Sequence, residues 1–199
     1  RPVLYNPYRH LSLQFLTLAR ALESRTHPLD KEGSEHAPLP LPLPEFTPGE
    51  VEAFRVRLAR DYPRLGGRRL ALVYPSGGIL PIRAWPIGNW RQVVAGLLAD
   101  DYAVAIIGLP ADKPLGQALA DAVAQADCID LTGYTRSVRE LVALLGEAAL
   151  LITNDGGPAQ FSTLTAVPTV ALFGPETPLL YEPLGEHASC LLLALPCSP

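Results

Sequence analysis

Asn154-Asp155-Gly156-Gly157-Pro158-Ala159-Gln160-Phe161 lies between two apolar runs, 149–153 upstream and 168–173 downstream. The second run opens onto Gly174-Pro175-Glu176-Thr177-Pro178. The order reads as strand, glycine turn, short helix, strand, second glycine turn. Two such turns at the ends of neighbouring parallel strands leave backbone N–H groups at helix starts, where a phosphate or diphosphate would be held. Gly156 and Gly157 allow close backbone approach. Gly174 and Thr177 add N–H groups and a hydroxyl at the second turn. Asp155 either takes hydroxyls of a sugar or ribose, or caps the helix that opens at Gly157. Glu176 is unexpected beside a phosphate, because like charges repel; it contacts sugar hydroxyls or points to solvent.

Two further elements aim at the same edge. Ser76-Gly77-Gly78, in the loop after an apolar run at 70–74, supplies backbone donors. Arg83 supplies a cation whose planar fork matches phosphate oxygens. Charge on a departing diphosphate is what such a cation would stabilise. Trp85 reads as a packing anchor, and the four histidines form no metal or triad pattern. No GxGxxG follows the first strand and no P-loop occurs, which disfavours a dinucleotide-dependent dehydrogenase.

The elements that must position these residues follow a regular alternation. Strands are predicted over 70–74, 102–108, 128–131, 150–153, 169–173 and 188–195. Helices are predicted over 10–22, 47–62, 87–99, 113–126 and 137–146, with a capping box at Thr47-Pro48-Gly49-Glu50 and a cap at Ser137. Short apolar strands alternating with helices imply a parallel sheet covered on both faces, with ligands beyond the carboxyl ends of its strands.

Twenty-one prolines are unevenly spread: Pro38-Leu39-Pro40-Leu41-Pro42-Leu43-Pro44 is neither helix nor central strand and reads as a stiff interdomain linker. The chain of 199 residues holds 48% hydrophobic and 18% charged residues with net charge −4, a globular composition without a nucleic-acid footprint. No apolar run reaches membrane-spanning length. The absence of Met suggests that residue 1 is not a native start, so the chain reads as part of a longer protein. Three cysteines without metal spacing fit buried or incidental thiols in a reducing, cytoplasmic compartment.

Arg83-Ala84-Trp85-Pro86, Leu131-Thr132-Gly133, Asn154 to Pro158 and Pro168 to Pro178, in this order and spacing, resemble the family 9 glycosyltransferases, the ADP-heptose:lipopolysaccharide heptosyltransferases. The likeness covers roughly residues 68 to 185. It implies two Rossmann-like domains facing across a cleft (the GT-B architecture), with the nucleotide-sugar donor held by the C-terminal one. On that reading residues 1–30 are a remnant of the acceptor domain, 31–46 a Pro-rich linker and 47–199 the donor domain.

The resemblance implies an inverting, metal-independent transferase without a cofactor. It would move a heptose or related sugar from a nucleotide diphosphate to a lipopolysaccharide-core or other glycan acceptor. The donor-binding residues carried over are Arg83, Asp155, Gly156, Gly157, Gly174, Thr177, Ser76, Gly77, Glu176 and Gln160. The family's proposed base lies early in the N-terminal domain and has no counterpart here, so these residues alone are not expected to catalyse transfer. Two positions depart from the family: its usual His is Gln160 and its usual Lys is Arg83. A lipid-linked acceptor is compatible with peripheral association at the inner membrane. The alternative reading is a non-catalytic nucleotide- or glycan-binding module, and a sugar-nucleotide epimerase is supported by fold likeness alone.

Overall fold

A computed structural model describes residues 6, 8–23, 43–47, 49–124, 126–193 and 195. Residues 31–42 of the linker expected over 31–46 lie outside them, as does Cys197. Six strands form one parallel sheet: β1 (Arg69–Tyr74), β2 (Tyr102–Ile106), β3 (Cys128–Asp130), β4 (Leu150–Asn154), β5 (Thr169–Phe173) and β6 (Ala188–Leu192). Their order is β3-β2-β1-β4-β5-β6. Among the described residues seven α-helices accompany them: α1 (Leu11–Glu23), α2 (Glu50–Asp61), α3 (Ile87–Ala99), α4 (Lys113–Val123), α5 (Val138–Glu147), α6 (Gly157–Ser162) and α7 (Pro178–Tyr181). The parallel α/β sheet with helices on both faces matches the sequence expectation.

The pleat explains why the strands are apolar throughout. Leu70, Leu72 and Tyr74 of β1 pack with Phe54 of α2 and Leu144 of α5 on one face. Ala71 and Val73 pack with Trp90 and Val94 of α3 and Leu119 of α4 on the other. A strand buried on both faces needs apolar residues at every position, not at alternate ones. Arg57 ties α2 to α5 through a two-pronged contact with Glu140 at 2.9 and 2.7 Å. That pairing holds the Glu140 carboxyl below its ordinary range.

Of the two predicted helix caps, one forms as expected and the other differs. Ser137 caps α5 as predicted, its hydroxyl accepting from the Glu140 N–H at 3.2 Å. A Ser137→Ala change should cost about 1 kcal/mol, read as a lowered urea midpoint with unchanged slope. At α2 the box is only half formed. Glu50 accepts from the Thr47 N–H at 3.2 Å, yet the Thr47 hydroxyl also donates to Glu50. Gly49, at φ +89°, takes the cap position that was expected at Thr47. α4 stops at Val123, short of the expected 126, because Ala124 turns left-handed at φ 50°. Burial pushes the Cys128 and Cys190 thiols up to about 11, so both stay protonated at neutral pH.

Candidate functional site

The chain leaves β1 toward α3 and β2, and leaves β4 toward α6 and β5. These connections diverge, and a crevice opens between them at the carboxyl edge of the sheet. One buried residue holds its two lips together. The Asn154 amide, at the end of β4, donates to the carbonyls of Pro75 at 2.7 Å and Ser76 at 3.2 Å. Its carbonyl accepts from the Trp85 N–H at 3.3 Å. Trp85 in turn meets Trp90 edge-on, ring centroids 5.7 Å apart. The loop carrying Arg83 is thus fixed at both ends to β4 and to the core.

Arg83 closes a short 3-10 turn, Pro81–Arg83. Its Nε lies 3.4 Å from Asp155 Oδ2, and a terminal nitrogen lies 3.4 Å from Glu176 Oε1. The side chains of Arg83, Asp155 and Glu176 are 21%, 6% and 34% exposed. The Nε and Oδ2 atoms are buried and make no hydrogen bond, facing each other as an ion pair of poor geometry. Asp155 does not cap α6: Gly156 holds that position, and no side chain caps the helix. Glu176, partly exposed, meets Arg83, 93 residues away.

Two cavities meet at this arginine. One, of about 590 Å³, runs over the ends of β1, β2 and β3; its walls are mostly apolar, including Tyr74, Leu80, Ile107, Leu131 and Phe161. The other, of about 510 Å³, lies toward α1 and is lined by His10, Ser12, Asp155, Gln160 and Tyr181 among others. Arg83, Gly156 and Gly157 line both, forming the partition between them. His10 fixes the far wall by contacts of 2.8 Å to the Ser12 hydroxyl and 3.0 Å to the Glu182 carbonyl.

The remaining predicted residues occupy more structural places. The Ser76 hydroxyl donates to Asp112 at 2.6 Å, in the turn before α4, and accepts from the Gly78 N–H at 3.0 Å, so it ties its loop to that turn. Gly77 is demanded by packing, since a Cβ there would lie 2.6 Å from the Leu80 carbonyl oxygen. The Thr177 hydroxyl caps α7, accepting from the Leu179 N–H at 3.3 Å. Gln160 donates to the Tyr181 carbonyl at 2.8 Å. Gly174 is exposed on the turn before α7. Ser76, Gly174, Glu176 and Thr177 are not among the residues lining either cavity. The sequence reading gives no role to Asn154 or His10, although an Asn closing an apolar strand is itself a sign of a buried polar anchor.

Asp155 also makes a pH signature. Burial, the dominant cause, raises its pKa; Arg83 opposes the rise and Glu176 adds to it. A carboxyl raised in the folded state contributes stability that is present below the ordinary aspartate range and lost as pH rises through the raised value. The stability of Asp155→Asn relative to the unchanged protein should therefore increase between the ordinary carboxylate range and neutrality. Urea midpoints of both proteins across that range measure it; a constant difference would contradict the burial account.

The pattern of glycosyltransferase family 9 (heptosyltransferase) matches residues 36–199. The lipooligosaccharide heptosyltransferase 2 of Haemophilus influenzae is 29% identical over 132 residues, 65% of this chain and 38% of that protein. The lipopolysaccharide heptosyltransferase 2 of Salmonella typhimurium is 27% identical over 159 residues, 78% and 45% of the two. The chain thus spans less than half the length of these two relatives.

Among solved structures, a family 9 glycosyl transferase from Veillonella parvula aligns with TM-score 0.73 at 22% identity, covering 96% of this chain and 51% of that one. E. coli ADP-heptose lipopolysaccharide heptosyltransferase II aligns with TM-score 0.67 at 24% identity, covering 79% and 49%. An E. coli heptosyltransferase determined with ADP aligns with TM-score 0.55 at 19% identity, covering 70% and 41%. At these identities the likeness establishes the fold, that of a GT-B-type domain. With the family pattern running through β1 to β6 and both glycine turns, the chain belongs to glycosyltransferase family 9, the heptosyltransferases.

Proposed function

We propose that this chain is the donor-binding part of a glycosyltransferase that moves a heptose or related sugar from a nucleotide diphosphate to a lipopolysaccharide-core or other surface-glycan acceptor. The observation that carries the reading is Arg83 at the wall shared by two cavities, with its Nε and the facing Asp155 Oδ2 buried and without hydrogen bonds. Buried polar atoms are normally satisfied, so an orphaned pair beside a cavity is a place where ligand atoms bond.

In this reading the mostly apolar cavity takes the nucleobase, whose faces suit Tyr74 and Phe161. The diphosphate lies at the partition, against Arg83 and the backbone of Gly156 and Gly157. The sugar extends into the second cavity toward Asp155 and Gln160. Arg83 stabilises the charge that develops on the departing diphosphate. The ADP bound by the E. coli heptosyltransferase and the heptose named in the relatives support this class of donor.

The domain division goes with it: residues 1–30 belong to the acceptor side, 31–46 form a linker and 47–199 the donor domain. Among the described residues no helix is long and apolar enough to cross a membrane. We propose a cytoplasmic enzyme that reaches a lipid-linked acceptor peripherally at the inner membrane.

Calorimetric titration with ADP, GDP, UDP and CDP, with NAD as the control, tests the donor site. Saturable binding of a nucleoside diphosphate without binding of NAD is the expected result. Binding of NAD alone, or of none, would overturn it.

A further inference from the structure

We propose that Glu176 is an internal competitor for the donor's anionic group: its carboxylate engages Arg83 and must leave when a nucleoside diphosphate binds. The inference rests on the reading of the β1–β4 crevice as a donor site and adds a residue that sets its affinity.

Arg83 faces two carboxylates of unequal standing. Asp155 is almost fully buried and its backbone N–H is bonded to the Leu172 carbonyl at 2.9 Å, so it is fixed at the sheet edge. Glu176 is the more exposed and stands on the turn after Gly174 and Pro175, both exposed. Its contact is to a terminal nitrogen of the guanidinium at 3.4 Å, on the fork that a phosphate oxygen would use. One arginine between two carboxylates leaves a net negative charge at the place where a diphosphate must sit. An arriving diphosphate repels both, and the partner that returns to water at least cost is the exposed one.

Glu176 is not among the residues lining either cavity, which separates this role from a contact with ligand hydroxyls. The two carboxylates hold Arg83 extended toward the crevice, at some loss of affinity for an anion. Glu176 is in these terms a positioning residue, not a catalytic one.

Calorimetric titrations of the unchanged protein and Glu176→Gln with ADP and with inorganic pyrophosphate decide the matter. Asp121→Asn, on the far helix α4 and exposed, controls for a general change in charge. Glu176→Gln should bind both probes about three- to tenfold more tightly, the size of a partly exposed ion pair plus the repulsion removed. Asp121→Asn should bind as the unchanged protein does, and urea midpoints should establish that all three are folded. Equal or weaker binding by Glu176→Gln, with the unchanged protein still binding ADP, would overturn the competitor role and leave the donor site standing. An equal gain in Asp121→Asn would reduce it to general electrostatics. Absence of ADP binding by every protein would overturn both the inference and the donor-site reading.

Discussion

Replacing Arg83 by alanine should weaken nucleoside-diphosphate binding by about 1.5–3 kcal/mol, the scale of a charge-assisted hydrogen bond. In dissociation constants that is roughly ten- to more than a hundredfold. Among the described residues the guanidinium is the one cation that lines both cavities, and it is flanked by Asp155 and Glu176. Its removal leaves the diphosphate facing two carboxylates with no countercharge, so repulsion adds to the lost bond. Arg83→Lys keeps the charge but not the planar fork and should fall between the two. Calorimetry on all three proteins gives the order; an alanine variant that binds as tightly as the unchanged protein would remove Arg83 from the site.

Asn154→Ala should lower stability by about 3 kcal/mol, because three backbone groups lose their partner at once and buried unsatisfied groups cost about 1–3 kcal/mol each before any relaxation. Those groups are the carbonyls of Pro75 and Ser76 and the N–H of Trp85. Asn154 is fully buried, so water does not replace the amide without opening the crevice. For a domain of this size the change amounts to a fall in Tm of roughly 6–12 °C. Asn154→Asp should be worse, since a carboxylate there cannot donate and would face two carbonyl oxygens in a dry setting. Both variants should also weaken nucleotide binding, because the loop from β1 carries Arg83. A Tm within 2 °C of the unchanged protein, at the scale used here, would refute the stapling role.

Much of the fold is legible from pattern alone, and the reasons differ by element. β5 was bounded by Pro168 and Gly174, two residues that interrupt regular structure, and the expected span 169–173 is the observed one. α3 is likewise flanked by Pro86 and Asp100, and the expected span 87–99 is the observed one. β6 ends at Leu192, three residues before the expected 195, in a run of leucines that gives no stop signal. The order of strands is not readable from any local stretch, because β4 joins β1 across some eighty residues through backbone bonds that every sequence can make.

The site divides in the same way. Asp155, Gly156 and Gly157 stand together because they are consecutive, and a glycine turn between two strands announces itself. Arg83 could be assigned as a cation, but its pairing with Glu176 joins residues 93 apart, which no local stretch announces. Asn154 escaped assignment because its partners are main-chain atoms 69 to 79 residues away. Ser76 and Thr177 have the right chemistry for phosphate contacts, but in the fold the Ser76 hydroxyl bonds Asp112 of another loop and the Thr177 hydroxyl caps α7.

Hydrogen–deuterium exchange with and without saturating ADP tests the central claim most directly, since it reports where a ligand sits as well as whether it binds. Slowed exchange in the segments 75–84 and 155–161, with the segment 113–130 unchanged, is the predicted result. ADP binding that leaves those two segments unprotected, or protects 113–130 instead, would contradict a donor site between β1 and β4.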